Sequence, residues 1–463
     1  DAQGRLYRLY DPWTTDASSW ARQPFAYGGR LNVIDPSRVS PLAKYLYSIT
    51  PLPTHPQVNP LIDSNLWMQA PQWSRTYTMT TRFDHQLSSN DRFFARYTRG
   101  VNRNRMTSSA ISTALTTDPD IGQVINRTSD QSLALSYTRV FSPTFFNELL
   151  LTGSRLPYLR SAGPQENVAA RLGLPNPLGI PLVPGIINTG LTNYQIDSGN
   201  ARYQNQAAIV IDDNVTRIVG KHELQFGGHL RYEQLNHLTN SIQTAGWHDY
   251  ATLATALYDP ATTRTNPQAA PQTGHNLGNM YIGVMNYVVR FRRGHYYVRD
   301  REYALYFQDN FKVTPRLTLN LGLRWEAWPE YREKYGVMLS FDPDRRAVVL
   351  GNDLDSFYRS GNAVPSAVAR FQSLGVRFLT AAEAGMPATL LYPNWKNFGP
   401  RVGAAYRLGQ ARSAAVVRAG YRISYTKWPV VTWMEQSAVT PPLLADFTNS
   451  VTNAAQAPDG IPR

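Results

Sequence analysis

The chain has 463 residues, with 46 Lys and Arg against 33 Asp and Glu, a formal net charge of +13 and no cysteine. Lack of cysteine excludes a disulfide framework, a thiolate metal site and a cysteine nucleophile, and no stretch approaches the ~20 apolar residues of a membrane-spanning helix. The 42% hydrophobic and 12% aromatic content suits a soluble β protein or a membrane barrel, whose strands need only alternate residues apolar.

Residues 1–72 are irregular, rich in Pro and Trp, and read as an outer loop segment. They carry one short predicted helix. Ser40 is its N-cap, Pro41 its first position, and Leu42, Tyr45, Leu46 and Ile49 share a face before Pro51, Pro53 and Pro56 end it.

Strands in pairs fill residues 73–425. Trp73–Gln86 and Arg92–Val101 flank the turn Leu87–Asp91, and Arg127–Phe141 and Phe145–Pro157 flank Ser142–Thr144. Gln204–Val219 and His222–His237 flank Gly220-Lys221, and Asn397–Leu408 and Ser413–Tyr425 flank Gly409–Ala411. The clearest hairpin is Asp300–Trp328, turning at Thr314-Pro315-Arg316, where Pro presets φ and cannot continue a ladder. In its second strand Leu317, Leu319, Leu321, Leu323 and Trp325 point one way; Thr318, Asn320, Gly322 and Arg324 point the other. Residues 426–463 begin a further outer loop, and Ala457–Arg463 is no closing strand.

An amphipathic hairpin alone does not say which face meets water. The connections decide it. Short turns alternate strictly with the long stretches 102–126, 158–203, 238–298 and 329–396, rich in Gly, Pro, Asn and Ala and read as outer loops with short helices. Soluble domains rarely carry several loops beyond about 15 residues, whereas an outer-membrane barrel has short periplasmic turns and long outer loops. Phe141, Phe145, Phe146 and Phe311 near the turns, with Trp325, Trp328 and Tyr331 at the other strand ends, match two interfacial girdles. The predicted fold is therefore all-β, a partial transmembrane antiparallel β-barrel. Leu317, Leu319, Leu321, Leu323 and Trp325 face lipid in this reading. Arg82, Asp84, His229, Arg231, Glu233, Asn320 and Arg324 face the lumen, where a polar lining without substrate contact is the plainer role.

No catalytic, cofactor or metal constellation is predicted, and the chain does not read as an enzyme. His222-Glu223 lacks a second His and lies across two strand faces; Gly220-Lys221-His222 is a hairpin turn, not a phosphate loop. The run Asn286–Arg301 interleaves Arg290, Arg292 and Arg293 with Tyr296 and Tyr297. In a barrel it would meet lipopolysaccharide phosphates or an anionic ligand, although solvated arginine heads on a loop hairpin would look the same. Trp247, His248 and Tyr250 are expected to begin a short loop helix and to be further candidate ligand contacts.

Ile34–Pro53, Arg82–Tyr97, Leu224–Tyr232, Tyr303–Glu326, Asn397–Tyr406 and Val417–Tyr425 resemble the barrel of TonB-dependent outer-membrane receptors. The resemblance is to the Oar-like branch with an N-terminal carboxypeptidase-regulatory-like domain. It implies a barrel of about 22 strands around a separate plug, in the outer membrane of a Gram-negative bacterium. It also implies energy-coupled uptake driven by the TonB complex through that plug. The chain departs from the pattern: no plug or TonB box is visible and about ten strands are countable, so it is expected to be a barrel fragment. Outer-membrane lipid, lipopolysaccharide, TonB and an unidentified ligand are the implied partners, with no nucleic acid. The alternatives are a structural or adhesive barrel and a soluble β-rich polysaccharide- or nucleic-acid-binding protein.

Overall fold

The computed structural model describes residues 5–16, 18–59, 63–67, 72–106, 124–162, 186–188, 193–195, 202–240, 247–250, 253–262, 268–409 and 415–449. Ten long strands make one antiparallel sheet: β1 (Trp73–Gln86), β2 (Asp91–Met106), β3 (Val124–Ser142), β4 (Phe145–Ala162) and β5 (Arg202–Val219), then β6 (His222–Asn240), β7 (Asn286–Thr314), β8 (Leu317–Trp328), β9 (Asn394–Leu408) and β10 (Ala415–Arg422). Each pairs with its neighbours in sequence, and β1 and β10 form the two ends. The turns after β3, β5 and β7 are Pro143-Thr144, Gly220-Lys221 and Pro315-Arg316. Gly220 takes φ +60°, a left-handed conformation that glycine adopts without a Cβ penalty. Short and long connections alternate as the sequence implied.

Register assigns every strand two faces. Leu305, Phe307 and Tyr303 of β7 lie opposite Gly228, Phe226 and Leu230 of β6 and opposite Trp325, Leu323 and Ala327 of β8. Through β9, Leu321 meets Val402 and Trp325 meets Phe398; through β4 and β5, Leu151 meets Ile211. Thus Leu317, Leu319, Leu321, Leu323 and Trp325 belong to one apolar row that crosses the sheet. The opposite row is polar.

The two rows differ in enclosure, in the reverse sense to a soluble sheet. On β6 from Leu224 to Leu238 the exposed residues are Phe226 and Leu230; on β5 from Tyr203 to Arg217 they are Tyr203, Ile209, Ile211, Asp213 and Arg217. Every one lies on the apolar face. On β7, Leu305 is 59% exposed while its neighbour Ala304, on the polar face, is 4% exposed. Burying one such aliphatic side chain is worth about 1.5–3 kcal/mol, so a continuous open row of them requires a solvent of hydrocarbon.

One glycine shows how closely the strands are fitted. A Cβ on Gly227 of β6 would lie 2.3 Å from the Asp213 carbonyl oxygen and 2.7 Å from Tyr306 Cε1. The Tyr306 ring of β7 therefore crosses over Gly227, and its hydroxyl donates to Asn214 Oδ1 of β5 at 2.7 Å.

Helix α1 (Pro41–Ile49) forms where expected, and the Ser40 hydroxyl accepts from Ala43 N at 3.1 Å. Its segment is not loose: Ser40 N donates to Tyr281 O at 2.7 Å, beside α2 (Asn276–Ile282), and Phe25 packs with Ala254, Ile282 and Val284. The buried Arg22 guanidinium donates to the carbonyls of Leu253, Ala254 and Ala256.

Two expectations are corrected. Residues 329–396 are more than a loop with short helices. They contain a three-stranded sheet (Leu339–Asp342, Ala347–Leu350, Arg377–Thr380) and helices α3 (Leu354–Arg359) and α4 (Pro365–Ser373). With α5 (Val430–Ser437) they enclose Val349, Phe357, Met434 and Leu443 in an ordinary dry core, joined by Leu235, Tyr296 and Val298 of the barrel strands. Second, Trp247–Asp249 is a short strand, antiparallel to Asn286–Val288 and parallel to Ile186–Asn188, rather than the start of a helix. Pairing with β7 satisfies backbone groups that a single helical turn would leave open.

Candidate functional site

The polar face is a wall of mutually compensated charges. On β1, Asp84 accepts from Arg82 Nε and Nη2 at 2.7 and 2.8 Å, with Arg92 at 3.3 Å; the Arg82 guanidinium lies 4.3 Å from the Phe94 ring centroid. At the centre, His229 Nδ1 is 2.6 Å from Asp212 Oδ1. Arg231 lies 2.5 Å from Glu233 and 3.6 Å from Glu302, and Gln206 also donates to Glu233. On β8, Arg324 pairs with Glu326 at 2.7 Å, while Asn320 faces Gly403 across the ladder to β9. Register puts Arg82, Asp84, His229, Arg231, Glu233, Asn320 and Arg324 on this one face. Hydrogen-bonded neighbours hold most of these side chains in place, which makes the surface hydrated yet stiff.

At the long-loop end, residues 427–443 lie across the wall as a strap. Lys427 bonds to Asp300 of β7 and stands 4.5 Å from the Tyr331 ring centroid; the Tyr331 hydroxyl donates to Trp428 O. Tyr296 donates to Met434 O at 3.3 Å and meets Trp433 edge-on at 5.8 Å; Arg202 reaches Glu435 at 3.7 Å. Glu333 anchors the folded loop beside the strap, accepting from Tyr297 N, Tyr335 N and Val337 N at 2.8, 2.7 and 3.1 Å. Burial pushes its carboxyl above the usual range despite these donors.

The residues singled out in the loops divide by environment. Tyr250 is fully enclosed, and among the described residues its hydroxyl has no hydrogen-bond partner. Tyr296 is enclosed by the strap. Neither presents a ring to a ligand, because both are buried. Tyr297 is half-buried against Tyr335, with ring centroids 5.5 Å apart. Trp247 and His248 lie on the short strand opposite Val288 and Tyr287, and Arg290 and Arg292 lie opposite Asp446 and Leu444. The side chains of Trp247, His248, Arg290, Arg292 and Arg293 lie outside the described residues.

Sequence reasoning missed Asp300, Glu302, Tyr331, Glu333 and Lys427 as one assembly. Asp300 and Lys427 are separated by 127 positions, and no periodicity joins them. Among the described residues no group of three His, Cys, Asp or Glu side chains is placed to hold a metal ion. No described helix is long and apolar enough to cross a membrane.

No curated protein matches the chain. Among solved structures it is similar to the ferripyoverdine receptor of the Pseudomonas aeruginosa outer membrane (11% identity, 73% of this chain and 34% of that one, TM-score 0.37). It is also similar to the ferric-catecholate import receptor Fiu of E. coli K12 (11% identity, 76% and 47%, TM-score 0.35) and the ferric yersiniabactin uptake receptor FyuA of Yersinia pestis (8% identity, 76% and 33%, TM-score 0.30). The chain thus spans between a third and a half of the length of these receptors. The outer membrane beta barrel domain family matches residues 1–462. With its ten-stranded sheet, apolar back and polar wall, the chain belongs to that family: it is a β-barrel protein of the cell outer membrane.

Proposed function

We propose that the chain is the barrel part of a TonB-dependent receptor of the Oar-like type, taking up a ligand in an energy-coupled way. The observation that carries this reading is the capped polar wall. A stiff, charge-compensated surface roofed at its long-loop end suits a path that is closed at rest and opened by work. A separate plug, acting with TonB, would sit against the wall. Arg290, Arg292 and Arg293 are the residues proposed to meet lipopolysaccharide phosphates or an anionic ligand at the outer rim.

The test compares an expressing strain with an otherwise identical deletion strain for depletion of solutes from the medium, read by mass spectrometry with and without a protonophore. Uptake confined to the expressing strain and abolished by the protonophore is expected. Depletion that ignores the protonophore, or no difference between strains, would overturn energy-coupled uptake. The second reading, an adhesive barrel, draws on the folded loop unit, whose dry core around Val349 and Phe357 would give a rigid surface for a partner. The same pair of strains, scored for attachment, separates the two.

A further inference from the structure

The outward face of the sheet is not apolar along its whole height. Near the long-loop end, register places Arg103 of β2 directly opposite both Arg75 of β1 and Arg127 of β3. Partners in an antiparallel ladder stand about 4.5–5.5 Å apart. Three guanidinium-bearing side chains therefore share one row, on the side that carries Phe83, Ala95 and Leu135 lower down. Arg105 is the next outward residue above Arg103, and Val101 and then Arg99 are the next below. Arg75, Arg99, Arg103 and Arg127 are exposed. From Trp73 to Met79, from Tyr97 to Arg105 and from Ile125 to Leu133 the outward positions hold no Asp or Glu. Among the described residues none of these five arginines meets a carboxylate, and Arg75 lies 5.6 Å from the Trp73 ring centroid.

Like charges directly opposite one another on a sheet repel and cost stability. Further along the same row Leu159, Tyr203 and Leu238 are uncharged, so the charge is a patch on β1 to β3 rather than a belt around the sheet. Its height is fixed as well. Asp91 opens β2, and Arg103 lies further along it than the ~9–11 residues a tilted strand needs to cross the hydrocarbon. The row thus stands among the headgroups of the outer leaflet. Below it Tyr77, Met79 and Leu133 are 67%, 55% and 42% exposed, an oily floor at acyl-chain depth.

We infer that this row binds one phosphorylated lipid of the outer leaflet, its phosphate oxygens bridging Arg103 to Arg75 and to Arg127 and its acyl chains lying along Tyr77, Met79 and Leu133. A guanidinium holds phosphate by two parallel hydrogen bonds, and a phosphate between opposed arginines turns their repulsion into attraction. Free phosphate would use the same arginines but not the apolar floor. The site lies on the lipid side of the sheet, apart from the polar wall, and uptake plays no part in it.

The experiment uses the full chain in a sugar-headed detergent without phosphate, with bisphosphorylated lipid A as probe and its dephosphorylated form as comparison, counted as bound lipid by native mass spectrometry. One retained lipid A per chain is expected, with affinity about tenfold above the dephosphorylated form, and inorganic phosphate should not displace it. The triple change Arg75→Gln, Arg103→Gln and Arg127→Gln should remove that preference. Arg96→Gln, which withdraws a charge from the opposite face of the same strand beside Arg82, should leave it intact. A second readout separates binding from a merely structural role. Arg103→Gln should raise the thermal midpoint in detergent alone, by relieving repulsion, and lower it once lipid A is present. Equal retention of the two lipids, retention indifferent to the triple change, or displacement by inorganic phosphate would overturn the assignment. So would a midpoint that Arg103→Gln moves the same way with and without lipid, the result expected if carboxylates outside the described strands already neutralise the row.

Discussion

The barrel sheet and the folded outer loop are built from the same kinds of residue and arranged in opposite senses. Around Val349 and Phe357 the apolar side chains converge and exclude water. Along β5 to β8 the apolar side chains are the open ones, and the enclosed face carries Arg231, Glu233 and Glu302. Each arrangement is stable only against its own surroundings: water for the loop unit, acyl chains for the sheet. Where the two meet, Leu235, Tyr296 and Val298 on the enclosed face turn from wall into core. The boundary between two solvents is thus written along single strands.

That contrast can be broken by substitution. The largest effect is expected from Phe357→Ala, which empties a fully enclosed site and should cost the loop unit about 3–5 kcal/mol. Limited proteolysis should then cut within 339–380 while the sheet resists; simultaneous loss of both would show that they are not separate units. Lys427→Met strands Asp300, which is largely enclosed on the polar wall, and breaking such a pair costs up to about 3–5 kcal/mol. Faster hydrogen exchange across 428–438 is the expected signature, and unchanged exchange would count against the strap. Leu321→Arg should lower folding free energy in lipid vesicles by about 2–4 kcal/mol if it lies near the bilayer midplane. Glu333→Gln turns an acceptor of three backbone N–H groups into a mixed donor and should cost about 1–3 kcal/mol, seen as a lower proteolysis threshold for the loop unit. The mildest change is Asn320→Ala on the wet face, expected to stay within about 0.5 kcal/mol. A loss equal to that of Leu321→Arg would undo the assignment of faces.

Much of the sheet could be read in advance, because a period of two survives translation from residue to strand. The Leu317–Trp325 row and the Gly220-Lys221 turn carry their geometry locally. Pro41–Ile49 was equally legible, since Ser40 and Pro41 announce a helix start. The loop unit was not. Its central strand, Ala347–Leu350, is buried throughout, and a short unbroken apolar run has no alternation to betray a strand. Trp247–Asp249 misled for a different reason: its conformation is set by β7 and by Ile186–Asn188, not by its own residues. The burial of Tyr250 and Tyr296 is a tertiary outcome too, because an aromatic ring serves a surface or a core equally well.

The contact of Tyr306 with Gly227 has a further consequence for how this chain, which lacks any covalent cross-link between strands, stays in step. Sliding β6 by one pleat in either direction would bring Gln225 or His229 beneath the phenol in place of the notch, and either side chain would collide with it. The ring therefore works as a detent: three neighbouring strands click into a single alignment, and misaligned intermediates are turned away before the hairpins close.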